Sequence, residues 1–134
     1  MYESISGKCV QIKEDSIILL ANGIGYKIFA PKPSLRDLSL VGKELTLYIS
    51  FVIRENLQAL YGFLQSGERD LFEVLLDISG IGPKTALNIL SFLSIDDLSN
   101  ALLKKEATLL SKVPGIGKKT AERLLVELKD KWQE

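Results

Sequence analysis

The apolar residues of this chain recur at every second position as far as Phe63, and at every third or fourth position after Gln65-Ser66-Gly67. One regular element cannot satisfy both periods, so a strand-built unit over 1–63 and a helical unit over 64–134 are expected. In the first, Leu45, Leu47, Ile49, Phe51 and Ile53 fall on one side of a strand, with Thr46, Tyr48 and Ser50 on the other. Ile5 to Ile12, Ser16 to Ala21, Gly25 to Ala30 and Leu57 to Phe63 read as four more strands. Turn residues separate them at Glu14-Asp15, Asn22-Gly23, Pro31 to Pro33 and Glu55-Asn56. Closing such a sheet hides its edges, and the five-stranded solution is a small OB-fold barrel.

In the second unit Leu71, Val74, Leu75 and Ile78 share one helical face. So do Ala86, Ile89, Leu90 and Leu93, and then Ala121, Leu124, Leu125, Leu128 and Trp132. Ser94-Ile95-Asp96-Asp97 has the form of a capping box opening a helix that runs to about Leu103, and Glu106 to Lys112 is a weaker helical stretch. The expected fold class is α+β, a five-stranded barrel followed by about five short helices.

Composition narrows the chemistry. Of 134 residues 46% are hydrophobic, enough to bury a core, and the apolar run Ile17 to Ala21 is far too short to span a bilayer. The N-terminus joins no basic stretch to an apolar one, so a cytoplasmic chain with no membrane partner is expected. One cysteine and no histidine exclude an internal disulfide, a Cys/His zinc site and His-based catalysis. No catalytic residue, metal ligand or cofactor is assigned, and Cys9 is read as a small buried hydrophobe. The 17 basic residues balance 17 acidic ones, so any site for a polyanion must be local.

Such a site has a sequence signature. Gly-Ile-Gly occurs three times, in GIGYK from 23, GIGPK from 80 and GIGKK from 115. Residues 76–93 set against 111–128 are identical at eight of eighteen positions, far above the roughly one match that background composition supplies. The repeated unit is helix, tight turn, helix. The copy at Gly23 does not extend, because Tyr26-Lys27-Ile28-Phe29 alternates as a strand. In the other two, glycines permit positive φ and close backbone approach, and the isoleucine anchors the turn in the core. The following helix presents unpaired N–H groups and the positive end of its dipole, a ready anion site.

The lysines strengthen that reading. Lys118 and Lys119 lie in a first turn, where the dipole disfavours each by about 0.3–1 kcal/mol; a bound phosphate would offset this. Arg123 follows Lys119 by one turn, and with Lys112 these residues form a local basic cluster against Glu122. The plainer alternative is a tight helix connection with solvated lysines. A nucleotide-binding P-loop fits poorly, because the Walker pattern needs four residues between Gly and Gly-Lys-Ser/Thr, and Gly80 and Gly115 stand too close. Backbone groups that grip phosphates carry no base information, so the reading is sequence-independent DNA binding.

Ile78 to Ala86 and Val113 to Ala121 resemble the helix-hairpin-helix motif of DNA repair and recombination proteins. The order of a small barrel, FVIRENLQALYGF at 51–63, and tandem hairpins closing with PGIGKKTAERLLVELKDK resembles the RuvA family, the Holliday-junction-recognition subunits of a bacterial branch-migration machine. The resemblance covers essentially the whole chain. It implies a non-catalytic homotetramer, with an octamer as the alternative, that holds a four-way junction open. Gly80, Gly82, Lys84, Gly115, Gly117, Lys118, Lys119 and Arg123 would grip the arms. The loop Arg54-Glu55-Asn56 would place an acidic pin, Glu55 and Asn56, at the junction centre, with Arg54 also binding DNA. The family typically has Arg-Glu-Asp there, so Asn56 leaves only Glu55 to repel phosphates, unless the segment is simply a solvated turn. The family continues into a third helical domain that docks on the RuvB motor ATPase. This sequence stops at Lys131-Trp132-Gln133-Glu134, so junction binding is expected and the RuvB contact is not; RuvC resolvase is a further partner implied.

Two other functions stay open at this stage. A base-excision glycosylase uses a similar hairpin, but needs a catalytic Asp well beyond it and often an iron-sulfur cluster, which one cysteine cannot hold. Asp130 is expected to face solvent. A helical protein-interaction module, or a generic helix-hairpin-helix unit of another repair protein, is the third reading.

Overall fold

The computed structural model describes residues 1–132, and Gln133 and Glu134 lie outside the described residues. Five strands, β1 (Ser4–Ile12), β2 (Ser16–Ala21), β3 (Ile24–Phe29), β4 (Glu44–Arg54) and β5 (Leu57–Phe63), close into a barrel in the order β1-β2-β3-β5-β4. All neighbours are antiparallel except β3 and β5, whose parallel pairs Ile28↔Leu60 and Phe29↔Tyr61 seal the barrel. Ile5, Cys9, Ile17, Leu19, Ile28, Leu47 and Ile49 fill the interior, with Ala30 and Leu35 beneath them. Cys9 is fully buried, as its packing role requires, and burial raises its thiol pKa.

Two hairpins have two-residue turns. Ala21↔Ile24 closes around Asn22 (φ 51°) and Gly23 (φ 82°), left-handed at both positions as a type I′ turn demands. Arg54↔Leu57 closes around Glu55-Asn56. The first Gly-Ile-Gly is therefore barrel architecture and no part of a helical hairpin.

The strand pattern holds with two corrections. In β4 the alternation expected to leave Ser50 on a solvent face does not: Ser50 is 4% and Val52 6% exposed, while Ile53 is 57% exposed. Both faces of β4 are covered near its middle, and Ala59, Tyr61 and Phe63 on the same outer face of β5 are buried with them. Ile53 keeps its side of the strand but lies beyond the end of the core. The second correction is Pro31 to Pro33, expected as a turn. Pro31 caps and Pro33 opens a short helix, α1 (Lys32–Arg36), followed by a single 3-10 turn at Leu38–Leu40. Proline in the first helical turn costs no hydrogen bond, so the same residues serve a helix start.

Beyond the barrel come α2 (Ser66–Leu76), α3 (Pro83–Phe92), α4 (Ile95–Lys104), α5 (Thr108–Ser111) and α6 (Lys118–Lys131). The chain divides into two compact units at Arg69/Asp70. The start of α2 belongs to the barrel unit, where buried Arg69 donates to the backbone oxygens of Glu3 (3.0 Å) and Ile49 (3.2 Å) and pairs with the Glu3 carboxylate at 2.8 Å. The helical unit has its own core, which includes Leu75, Ile78, Ile89, Leu98, Leu110, Val113, Leu124 and Leu128. At α4 the capping box is complete: Ser94 accepts from the Asp97 N–H and Asp97 accepts from the Ser94 N–H, each at 3.0 Å. Asp reaches back as Glu would. Among the described residues no single helix is long and apolar enough to cross a membrane.

Candidate nucleic-acid interface

The internal repeat becomes a repeat of hydrogen bonds. The N–H of Ile81 donates to the Ile78 carbonyl at 3.1 Å, and that of Ile116 to the Val113 carbonyl at 3.1 Å. Each closes a four-residue turn whose third residue is a left-handed glycine, Gly80 (φ 86°) or Gly115 (φ 89°), the geometry of a type II turn. Pro114 stands at the second position of its turn, where its fixed φ suits that geometry; Ser79 occupies the place in the first copy. Ile81 and Ile116 are 5% and 4% exposed and hold each turn against the core.

The second glycine of each pair has a different task from the one its sequence suggested. Gly82 (φ −92°, ψ 177°) and Gly117 (φ −82°, ψ 176°) are extended, so positive φ is not what they supply. They are the N-caps of α3 and α6, and a Cβ at either would meet nothing within 4 Å. Their carbonyls accept the Ala86 and Ala121 N–H groups at 2.9 Å, starting both helices identically. Glycine here leaves the mouth of the helix N-terminus bare of side chain, so that another molecule can approach the backbone.

Both N-termini differ from that of α4 in the same way. Neither has a side-chain cap nor an acid in its first turn, whereas α4 has its capping box with Asp96 and Asp97. The first-turn N–H groups have no partner within the helix: Lys84 and Thr85 in the first copy, and Lys118, Lys119 and Thr120 in the second. Pro83 contributes no N–H, so the second hairpin offers one donor more. It also offers two lysines against one. Lys84, Lys118, Lys119 and Arg123 are all exposed, and so is Lys112. Arg123 Nε sits 3.6 Å from a Glu127 carboxylate oxygen one turn on, a partner the sequence reading assigned to no one. Arg123 is exposed and Glu127 half-buried, its oxygen facing Arg123 without a hydrogen-bond partner, and an i,i+4 pair of that length is worth about 0.5 kcal/mol.

Sequence reasoning missed Lys131. Its ammonium donates to the Asp77 carbonyl at 2.9 Å, tying the end of α6 to the chain just beyond α2, where the first hairpin's turn begins. Both hairpins lie in the one helical unit, and this bond links them. Arg54, Glu55 and Asn56, the expected pin, belong to the barrel unit and stand at the tip of the β4–β5 hairpin with every residue from 53 to 58 exposed. Burial raises the Tyr61 pKa, and the Arg54 charge acts against that rise.

A closed five-stranded barrel followed by paired helix-hairpin-helix turns, each opening an uncapped helix that carries lysine, defines a class of DNA-binding proteins that address the backbone. The family models agree: residues 1–62 match the RuvA N-terminal domain and residues 72–130 a SAM-like tandem helix-hairpin-helix. The chain is 45% identical over 131 residues to the Holliday junction branch migration complex subunit RuvA of Methylibium petroleiphilum, covering 98% of this chain and 68% of that protein. Proteins of the same name from Protochlamydia amoebophila (43%, covering 98% and 65%) and Leptothrix cholodnii (47%, covering 98% and 69%) are similar to it. The chain belongs to the RuvA family and spans about two thirds of the length of these relatives.

Proposed function

We propose that this chain binds four-way DNA junctions through the sugar-phosphate backbone, without regard to base sequence, as a non-catalytic subunit of a branch-migration complex. The observation that carries this is the twofold recurrence of one turn, with matched hydrogen bonds, opening two uncapped helices whose first-turn side chains include Lys84, Lys118 and Lys119. A phosphate oxygen at either N-terminus would accept from the free N–H groups and lie beside an ammonium group, each reinforcing the other. Gly80, Gly82, Gly115 and Gly117 would shape the approach, and Arg123 would extend the basic face of α6. The names of the relatives support the junction as the DNA form, and a DNA partner would place the chain in the cytoplasm. In the same reading the assembly is a homotetramer, or two facing across the DNA, with Arg54, Glu55 and Asn56 at the crossover. The RuvB motor and the RuvC resolvase are the partners of the complete machine.

The test is a gel-shift comparison of a four-way junction with linear duplex of the same sequence. The unaltered chain binds the junction more tightly, and Lys84→Glu with Lys119→Glu abolishes binding while the circular dichroism spectrum stays unchanged. Equal affinity for duplex would remove the junction from the proposal. Undiminished binding by the double variant would remove the phosphate assignment.

A further inference from the structure

The β4–β5 hairpin outruns the core that anchors it. Val52↔Ala59 is its last buried rung, each residue 6% exposed. Ile53↔Gln58 and Arg54↔Leu57 remain paired beyond it, so the tip is an ordered two-stranded ribbon. Two rungs and a turn at about 3.3 Å per residue project roughly 10 Å. The tip carries Ile53, 57% exposed, and Leu57, 36% exposed. Residues paired across the strands share a face, so these two aliphatic side chains lie on opposite faces of the ribbon. Between them stand Arg54 and Glu55, whose charges cancel, and the neutral Asn56.

A tip of zero net charge is a weak repeller of phosphates, and Ile53 and Leu57 stand outside the buried core of the barrel with apolar surface exposed. We infer that this hairpin tip works as an apolar wedge, Ile53 and Leu57 packing against base-pair faces laid open where strands exchange at a junction. The inference rests on the junction-binding reading above. Arg54 would answer a phosphate beside the crossover, and the Asn56 amide is able to donate to and accept from a base edge. A two-stranded ribbon is narrow enough to enter DNA, and aliphatic side chains are used as wedges between base steps at a cost of a few kcal/mol for unstacking. That cost is lowest where stacking is already interrupted, which favours a junction over duplex. Six exposed residues are also far fewer than the roughly 20–30 per side of a stable protein interface, so a protein partner fits the tip poorly.

The experiment uses four-way junctions with 2-aminopurine at the exchange point, whose fluorescence rises when its neighbours unstack. The unaltered chain raises it on binding. Ile53→Thr with Leu57→Thr, which places strand-favouring β-branched residues at both exposed positions, should still bind the junction but lose at least about half of the rise, because hydroxyl-bearing side chains are poorer wedges. Glu55→Gln should keep the rise. The wedge is overturned if the threonine variant keeps the full rise, or if Glu55→Gln alone removes it. Junction binding with no rise from the unaltered chain would overturn the wedge and leave the junction reading intact. Failure of the unaltered chain to prefer junctions would overturn both.

Discussion

Single glycines separate folding from binding in this chain. Gly115 has φ 89°, a conformation that costs an L-residue about 1–2 kcal/mol, whereas Gly117 is extended and has open space where a Cβ would go. Gly115→Ala should therefore lower the urea midpoint in proportion to a loss of about 1–2 kcal/mol. Gly117→Ala, at an N-cap where alanine is less favourable than glycine, should lower that midpoint by less while weakening DNA binding, since its methyl group stands at the mouth of the α6 N-terminus. Urea titration and gel shifts on the two variants check this; equal stability losses would show that the second glycine serves the fold alone. The distinction was not legible in the sequence, where both glycines precede the helix and look interchangeable. What was legible was the repeat itself, because the identities extend through Lys119, Thr120 and Ala121 into the helix.

At the scale of elements, legibility followed how local the determining interactions are. The strands Ser16–Ala21 and Leu57–Phe63 and the capping box of α4 are set by alternation or by contacts three residues apart, and the structure has them where the sequence puts them. The burial of Ser50 and the exposure of Ile53 depend on what covers β4 and where the core ends, which no window of sequence contains. Lys131 is the same kind of case, since its partner Asp77 is 54 positions away. This bond couples two elements whose relation decides whether both hairpins act together. An ammonium near helix-end carbonyls is favoured by the dipole as well as by the hydrogen bond. Lys131→Ala should cost about 0.5–1.5 kcal/mol, the net worth of one hydrogen bond. Amide exchange at Ile78 and Ile81, in the adjoining turn, should quicken relative to Ile116. Unchanged exchange there would mean that the bond is ornamental and that packing of α6 on α4 and α5 alone holds the hairpins together.

For the whole molecule, electroneutrality makes the number of copies decisive. With 17 basic and 17 acidic residues the chain has no net field to draw DNA from a distance. Affinity must come from a few short-range phosphate contacts, and on the duplex arms the two helical hairpins of one chain bring four basic side chains to them, Lys84, Lys118, Lys119 and Arg123. If each neutralises one phosphate, the log-log dependence of binding on salt has a slope of about 3.6 in magnitude for a single copy on duplex arms, at about 0.9 per phosphate. A tetramer gripping four arms multiplies that slope. Removing one lysine then reports the copy number: Lys84→Gln lowers the magnitude by about 0.9 if one copy binds and by about 3.6 if four do. Junction binding measured across a salt series for both proteins, beside light scattering of each complex, checks this. A drop of about 0.9 on a complex whose mass requires four copies would mean that only one hairpin in four reaches a phosphate through Lys84, and the symmetric grip would fail.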